Sequence, residues 1–296
     1  MELRHLRYFI AVAEEGSLTL AAEKRLHTAQ PSLSRQIRDL EYEVGVPLLL
    51  RSARGIELTA AGKAFLDHAR QSVTEAEAAV EAARRAAEPD KPVFSMGFLT
   101  GMEVEWLPIA SRILRDELPN IEIRVVSQYS PQLAEDLQRG KLDVAFLRNE
   151  QKQNVEYRVV ASEPLVVVLP SDHRLAAEHE IDPRDLVGEI FIGMSDIPHV
   201  LRGVIDGYFA KLGLDIKPTH VIDNFAMAIS LVASTRGVCL LPAYAENFLS
   251  WSVVSRPLKG ESPTIDLMLG YNNLNTSPLL RLFLTRMENQ AVTPAR

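Results

Sequence analysis

Pro31, Ser34, Arg35 and Arg38 recur at a spacing that, on a helix, sets them opposite the apolar Leu33, Ile37, Leu40 and Val44, with Gln30 and Ser32 beside them at the helix start. These side chains offer base and phosphate recognition. A Gln amide pairs bidentately with adenine and an Arg guanidinium with guanine, while a Ser hydroxyl suits a phosphate or either base. Arg51 and Arg54 add two cations within Val46 to Leu58, where two short apolar runs flank a turn and read as a β-hairpin wing. From Lys24 to Ile56 the cations Lys24, Arg25, Arg35, Arg38, Arg51 and Arg54 outnumber Asp39, Glu41 and Glu43, although the whole chain carries a formal charge of -7. The local excess marks a phosphate-facing patch on a protein that otherwise repels nucleic acid.

The elements that must position this set are legible upstream of it. Leu3, Leu6, Phe9, Ile10 and Ala13 share one face of a first helix that ends at Gly16. Ser17 or Thr19 caps a second helix carrying Ala21, Ala22 and Leu26, and His27 to Ala29 form a turn before the third. Helix, tight turn and helix is the plan that places the start of the later helix in a major groove. Plain helical bundles share this geometry with a merely solvated outer face, so pattern alone leaves both readings open.

From Thr59 the chain turns alanine-rich, and Leu66, Ala69, Val73, Ala76, Val80, Ala83 and Ala87 keep an unbroken three-four spacing. Such a stripe needs a partner helix; its copy in a second subunit is one candidate and its own domain the other. Pro89 and Pro92 separate the helix from the C-terminal part of the chain. A dimer suits the recognition helix, because two copies read a pseudo-palindrome.

Beyond Pro92 short β-rich runs alternate with helical ones: strands at Val93 to Leu99, Ile121 to Ser127 and Leu142 to Leu147, with helices at Glu105 to Leu118 and Ser130 to Arg139. A second unit repeats the pattern, with strands at Leu165 to Leu169, Phe191 to Met194, Thr219 to Ile222 and Val238 to Leu241 and helices near Val200 to Leu212 and Phe225 to Arg236. Strands after Val253 and a helix from Pro278 close the chain. The expectation is parallel pairing in two lobes with a ligand cleft at the carboxyl ends of the strands. Thr100 and Gly101 open a helix whose free N–H groups favour an anion, and Ser130 holds the equivalent place after the next strand. Arg148 could neutralise a carboxylate or pair with a structural acid. Across the cleft Met194, Ser195, Asn224 and Phe225, together with Phe98, offer apolar walls and an amide. His199 lacks ligand-spaced partners, and Trp106 and Trp251 read as core or interface residues.

Composition narrows the function class. With 296 residues, 47% hydrophobic and 24% charged, the chain has the make-up of a globular protein of two or three domains. Glu2, Arg4, Arg7, Glu14 and Glu15 break up its start, which does not make a signal peptide, and no apolar run approaches about 18 residues, so a cytoplasmic location without membrane contact is expected. The lone Cys239 sits in an apolar run and reads as a buried strand thiol. A Gly-x-Gly-x-x-Gly stretch, a phosphate loop, a Gly-x-Ser-x-Gly elbow and a metal-spaced His or Cys cluster are all missing, so neither cofactor nor metal is expected. A two-lobed enzyme or a solute-binding protein is the rival; the N-terminal helix-turn-helix argues against both.

Several segments carry a family resemblance: Met1 to Phe9, Ala21-Ala22, Ala29 to Ile37, Leu40-Glu41, Gly45 to Leu49, Arg51, Leu58-Thr59 and Ala61-Gly62, then Gly140 to Ala145, Glu163 to Pro170 with Asp172-His173, Gly237-Val238 and Leu241-Pro242. Together they resemble LysR-type transcriptional regulators, most of all regulators of aromatic-acid (phenylpropionate, cinnamate, benzoate) catabolism. The resemblance implies an α/β fold class with three parts: a winged helix-turn-helix at 1–58, a linker and dimerisation helix at 59–88, and a periplasmic-binding-protein-like effector domain at 89–296. Its subdomain I spans about 92–162 and 268–296, and subdomain II about 163–267. The resemblance further implies a non-enzymatic activator of a catabolic operon that binds double-stranded operator DNA, a small carboxylate inducer and RNA polymerase, as a dimer of dimers. In such aromatic-acid regulators, hydroxyl residues at the positions of Gly101 and Ser130 hold the inducer's carboxylates; here the first is glycine. Between Ala22 and Leu26 stand Glu23, Lys24 and Arg25, one residue more than the family spacing, which leaves the register of the second helix and the entry to the turn open.

Overall fold

The computed structural model describes residues 1–52, 55–86, 92–194, 200–222 and 224–289, which fall into two units, Met1–Glu88 and Pro89–Arg296. In the first, α1 (Leu3–Glu15) buries Leu6, Phe9 and Val12 and stops at Gly16, whose φ of 61° is left-handed. The Gly16 carbonyl then accepts the Ile56 N–H at 2.8 Å, so the glycine both ends the helix and anchors the hairpin. Ser17 Oγ accepts the Leu20 N–H at 3.3 Å and starts α2 (Leu18–Leu20). That helix runs straight into a π-helical segment, Ala21–Leu26, closed by the His27 N–H on the Ala22 carbonyl. The wider turn resolves the extra residue: Ala21 and Ala22 stay fully buried and Leu26 still packs on the core.

Next come α3 (Gln30–Val44), the antiparallel hairpin β1 (Leu49–Ser52) and β2 (Gly55–Leu58), and α4 (Ala60–Ala86). Glu41 on α3 accepts the Leu48 and Leu49 N–H groups at 2.8 and 3.0 Å and so fixes the hairpin against the helix. Gly62 is required by close approach, since a Cβ there would lie 2.0 Å from the Leu48 carbonyl oxygen.

The apolar stripe of α4 divides in two. Leu66 and Ala69 are buried in the domain core and Val73 packs against it, while Phe65 meets Phe9 edge-on at 5.2 Å. These three candidate dimer residues therefore serve their own domain, because α1 offers an apolar face within reach. Ala76 is half-buried, and Val80 and Ala83 are exposed.

The second unit holds β3 (Val93–Leu99), α5 (Glu103–Glu117), β4 (Glu122–Gln128), α6 (Ser130–Gln138), β5 (Val144–Leu147) and β6 (Val155–Pro170). It continues through β7 (Ile192–Met194), α7 (Val200–Lys211), β8 (His220–Ile222), α8 (Phe225–Thr235), β9 (Cys239–Pro242), β10 (Val253–Pro257), β11 (Thr264–Asn272) and α9 (Pro278–Asn289). One sheet runs β10-β6-β11-β5-β3-β4, with β9 also on β6. The expected parallel pairing holds for β3 with β4 and β5 and for β7 with β8. The crossing strands β6 and β11 pair antiparallel throughout, a correction to the all-parallel expectation. The strand expected at Leu165 to Leu169 is the buried end of the longer β6, whose first part lies on β11 and whose last part, from Leu165, turns to β9 and β10. That change of partner divides the lobes. β11 pairs β6 from Thr264 onward, four residues ahead of the expected boundary at 268.

Each lobe has its own core. Phe94, Met96, Phe98, Trp106, Phe146 and Phe283 fill the first, Val167, Leu169, Ile205, Phe209, Val232 and Leu240 the second. Trp106 is thus a core residue, whereas Trp251 is 93% exposed. Cys239 is buried as expected, and burial pushes its thiol up to about 12.

Candidate functional site

On α3, Leu33, Ile37 and Leu40 are fully buried while Pro31, Ser32, Arg35 and Arg38 are exposed and Gln30 and Ser34 half-buried. Ala29 is the N-cap, so Gln30 and Pro31 begin the first turn, the end of the helix that a groove admits. Arg51 on β1 donates to Ser34 Oγ at 3.3 Å and joins the hairpin to this face. Arg38 Nε reaches the Ser34 carbonyl at 3.4 Å, and Arg35 makes no ion pair or hydrogen bond among the described residues, leaving its guanidinium free. Arg25, counted in the basic patch from sequence, is spent internally: it pairs with Glu14, to which Arg70 also donates at 2.7 Å. Arg54 lies outside the described residues.

In the second unit an open cleft lies between the lobes, with about 510 Å³ free of atoms, open solvent included. Of the expected residues, Thr100, Arg148, Met194, Asn224 and Phe225 line it. Asn224 also caps α8, its Oδ1 accepting the Met227 N–H at 2.8 Å. Ser195 and His199 lie outside the described residues.

The two expected anion positions are filled by the chain itself. Gly101, at φ +96°, donates its N–H to Glu103 Oε2 at 2.8 Å, while the Thr100 and Met102 N–H groups go to the Gln128 and Leu99 carbonyls. With these three amides taken, Thr100 to Met102 have no N–H left for a ligand carboxylate. Side-chain replacement at Gly101 is disfavoured as well, since a Cβ would come within 3.1 Å of Tyr244 and Phe248 and 3.3 Å of Phe225. Ser130 is 1% exposed and sits behind the wall: its Oγ accepts the Arg148 N–H at 2.8 Å, so it positions Arg148. Phe98 is fully buried, stacked on Phe146 at 5.0 Å, and forms no part of the lining.

Arg148 is the cation of this cleft, although only 2% of its surface is exposed. Its Nη1 donates to the Asp266 carbonyl at 2.8 Å. Its Nη2 stands 3.8 Å from Glu163 Oε2, an ion pair too long for a hydrogen bond, and both atoms are buried without a hydrogen-bond partner. Burial pushes Glu163 up to about 7, against the pull of Arg148, and Glu105 adds to the rise. Tyr244, also driven up to about 12 by burial, completes an aromatic wall with Phe225, 5.7 Å between ring centres. Leu99, Tyr129, Leu201, Leu241, Pro242, Tyr244 and Ile265 also line the cavity and were not anticipated. Leu99, Tyr129 and Tyr244 obey the rule already applied to Thr100, being at or just past the ends of β3, β4 and β9; Ile265 sits opposite Glu163 on the crossing strands, a register that sequence does not reveal.

A basic helix-turn-helix with a hairpin wing, on a chain that also builds a two-lobed cleft around one buried cation, defines a ligand-responsive DNA-binding regulator. Residues 3–63 match the bacterial regulatory helix-turn-helix protein, lysR family, and residues 87–291 the LysR substrate binding domain. The chain is 40% identical over 292 residues to the Hca operon transcriptional activator HcaR of Escherichia coli (strain K12), covering 98% of each. It is 35% identical to the probable cat1 operon transcriptional activator of Acinetobacter lwoffii, over 95% of this chain and 93% of the other. Full-length CbnR in complex with its target DNA matches with a TM-score of 0.57 at 27% identity, over 98% of this chain and 99% of that one. The chain belongs to the LysR family of bacterial transcriptional regulators, which are DNA-binding proteins and not enzymes. Among the described residues no helix is long and apolar enough to cross a membrane.

Proposed function

We propose that this LysR-family regulator is a cytoplasmic activator of a catabolic operon, induced by an aromatic monocarboxylate that binds the cleft at Arg148. The observation that carries the reading is the buried Arg148 Nη2 without a hydrogen-bond partner, set in a cavity with otherwise mainly apolar walls. A buried guanidinium donor calls for an acceptor, and a carboxylate supplies one with the matching charge. Leu99, Met194, Leu201, Phe225, Leu241 and Tyr244 suit an aryl body. A second carboxylate would find the amides at Thr100 to Met102 already taken, which favours a monoacid over a diacid such as muconate. Two relatives are by name operon activators, which supports activation through RNA polymerase here. Calorimetry tests the ligand class: benzoate, 3-phenylpropionate or cinnamate should bind while its amide binds far more weakly. Equal binding of acid and amide would remove the anion site from the proposal.

DNA reading belongs to Gln30, Ser32, Ser34 and Arg35, with Arg38 and Arg51 for the backbone. The operator-bound form is a dimer, or a dimer of dimers, held through the outer half of α4, where Val80 is 49% exposed and Ala83 keeps the same stripe. Val80→Asp should yield lower-order species in sedimentation with an unchanged melting temperature. Val73→Asp would instead damage the domain's own core. An intact wild-type assembly in Val80→Asp would move the interface elsewhere.

A further inference from the structure

We infer that Glu163 serves the ligand site as its neutral acid, so that an aromatic monocarboxylate enters the cleft together with one proton, which the Glu163 carboxyl carries. This rests on the cleft being the effector site and adds what that reading leaves open, the fate of the acid already facing Arg148.

The geometry carries the inference. Glu163 Oε2 is buried and its contact to Arg148 Nη2 is 3.8 Å, so the resident pair is loose and neither atom is saturated. A ligand carboxylate on Arg148 would put two acids around one buried guanidinium in a mainly apolar cleft. The groups acting on Glu163 are Arg148 after β5 and Glu105 on α5, and Arg148 alone among them is cationic. Asp266 on β11 and Tyr244 after β9 face Arg148, and Glu103 on α5 faces Tyr244; none of these supplies a second cation. Two like charges so placed cannot both ionise, and the acid already raised by burial is the one to take the proton. The balance is simple: the ligand anion and one solvent proton go in, and Glu163 gains an O–H able to donate to the ligand oxygen.

The same proton sets the sign of the pH dependence. Glu163 titrates at about 7 in the free protein, so below that pH the proton is already present and affinity is flat. Above it each bound ligand must recruit a proton, and Kd should rise by about tenfold per pH unit. Tyr244 at about 12 and the ligand's own carboxyl stay outside this window.

Calorimetry of the full chain with cinnamate, from pH 6 to 9 and in two buffers of different ionisation enthalpy, tests this. The expected result is uptake approaching one proton at pH 8.5 and the tenfold slope. Glu163→Gln, which mimics the neutral acid, should keep tight binding and lose both the slope and the uptake. Tight but pH-independent wild-type binding without proton uptake would overturn the inference and leave the effector site standing. Failure of benzoate, 3-phenylpropionate and cinnamate alike to bind the wild type would overturn both.

Discussion

Arg35→Ala is expected to cost about 1–3 kcal/mol of specific operator affinity, roughly a 5- to 150-fold loss, while leaving the fold untouched. Arg35 is exposed on α3, opposite the fully buried Leu33, Ile37 and Leu40, and no ion pair or hydrogen bond among the described residues holds its guanidinium. Its removal therefore breaks no intramolecular contact, and the melting temperature should not move. Arg51 offers a contrast: it is tied to Ser34 from the hairpin, and the role proposed for it is a phosphate contact. Arg51→Ala should weaken binding to all sequences alike and flatten the salt dependence by about one unit of slope. An operator recovered by selection from a random pool, then titrated by anisotropy against scrambled DNA at several salt concentrations, separates the two behaviours. Loss of the same size on specific and scrambled DNA for Arg35→Ala would make it a backbone contact.

The sequence was most legible where a side-chain period met a chemical need. Leu33, Ile37 and Leu40 announce both the buried face of α3 and, by subtraction, the reading face. Strands such as Val93–Leu99 were legible because one face is buried throughout and the other is at least half-buried. The first half of β6 was not: Val155 to Pro164 alternates and leaves Val159 exposed, so its pairing with β11 had no continuous apolar run to betray it. The same blindness hid Glu163, which matters only because the register of β6 brings it to Arg148. The helix starts misled for another reason. Sequence marks Thr100, Gly101 and Ser130 as possible donors, but whether those donors are free depends on where Glu103 and the Arg148 backbone lie. The stripe of α4 leaves open whether its partner is its own domain or a second subunit, since the period is identical for Leu66 in the domain core and for the exposed Val80.

Arg148→Met is expected to abolish acid recognition, with a loss of about 3–5 kcal/mol, at least ~100-fold in Kd, and acid and amide binding equally weakly afterwards. Methionine keeps most of the apolar stem, and the Ser130 hydroxyl still has the same backbone N–H to hold, so the chain path after β5 is retained. What changes is Glu163, which loses the cation that opposes it among the described residues. Its carboxyl, already raised from 4.5 to about 7 chiefly by burial, must rise further. A carboxyl with a raised folded-state pKa contributes stability that is complete below its unfolded value and is lost as pH climbs to the folded one. In the wild type that loss ends near pH 7; in Arg148→Met it continues above it. The variant should therefore melt close to the wild type at pH 6 and fall progressively behind it between pH 7 and 9. Adding Glu163→Gln to Arg148→Met should close that gap without restoring acid binding, because the amide leaves no buried charge and supplies no cation. A variant that keeps tight binding of the acid would place the carboxylate away from Arg148, whatever its melting curve.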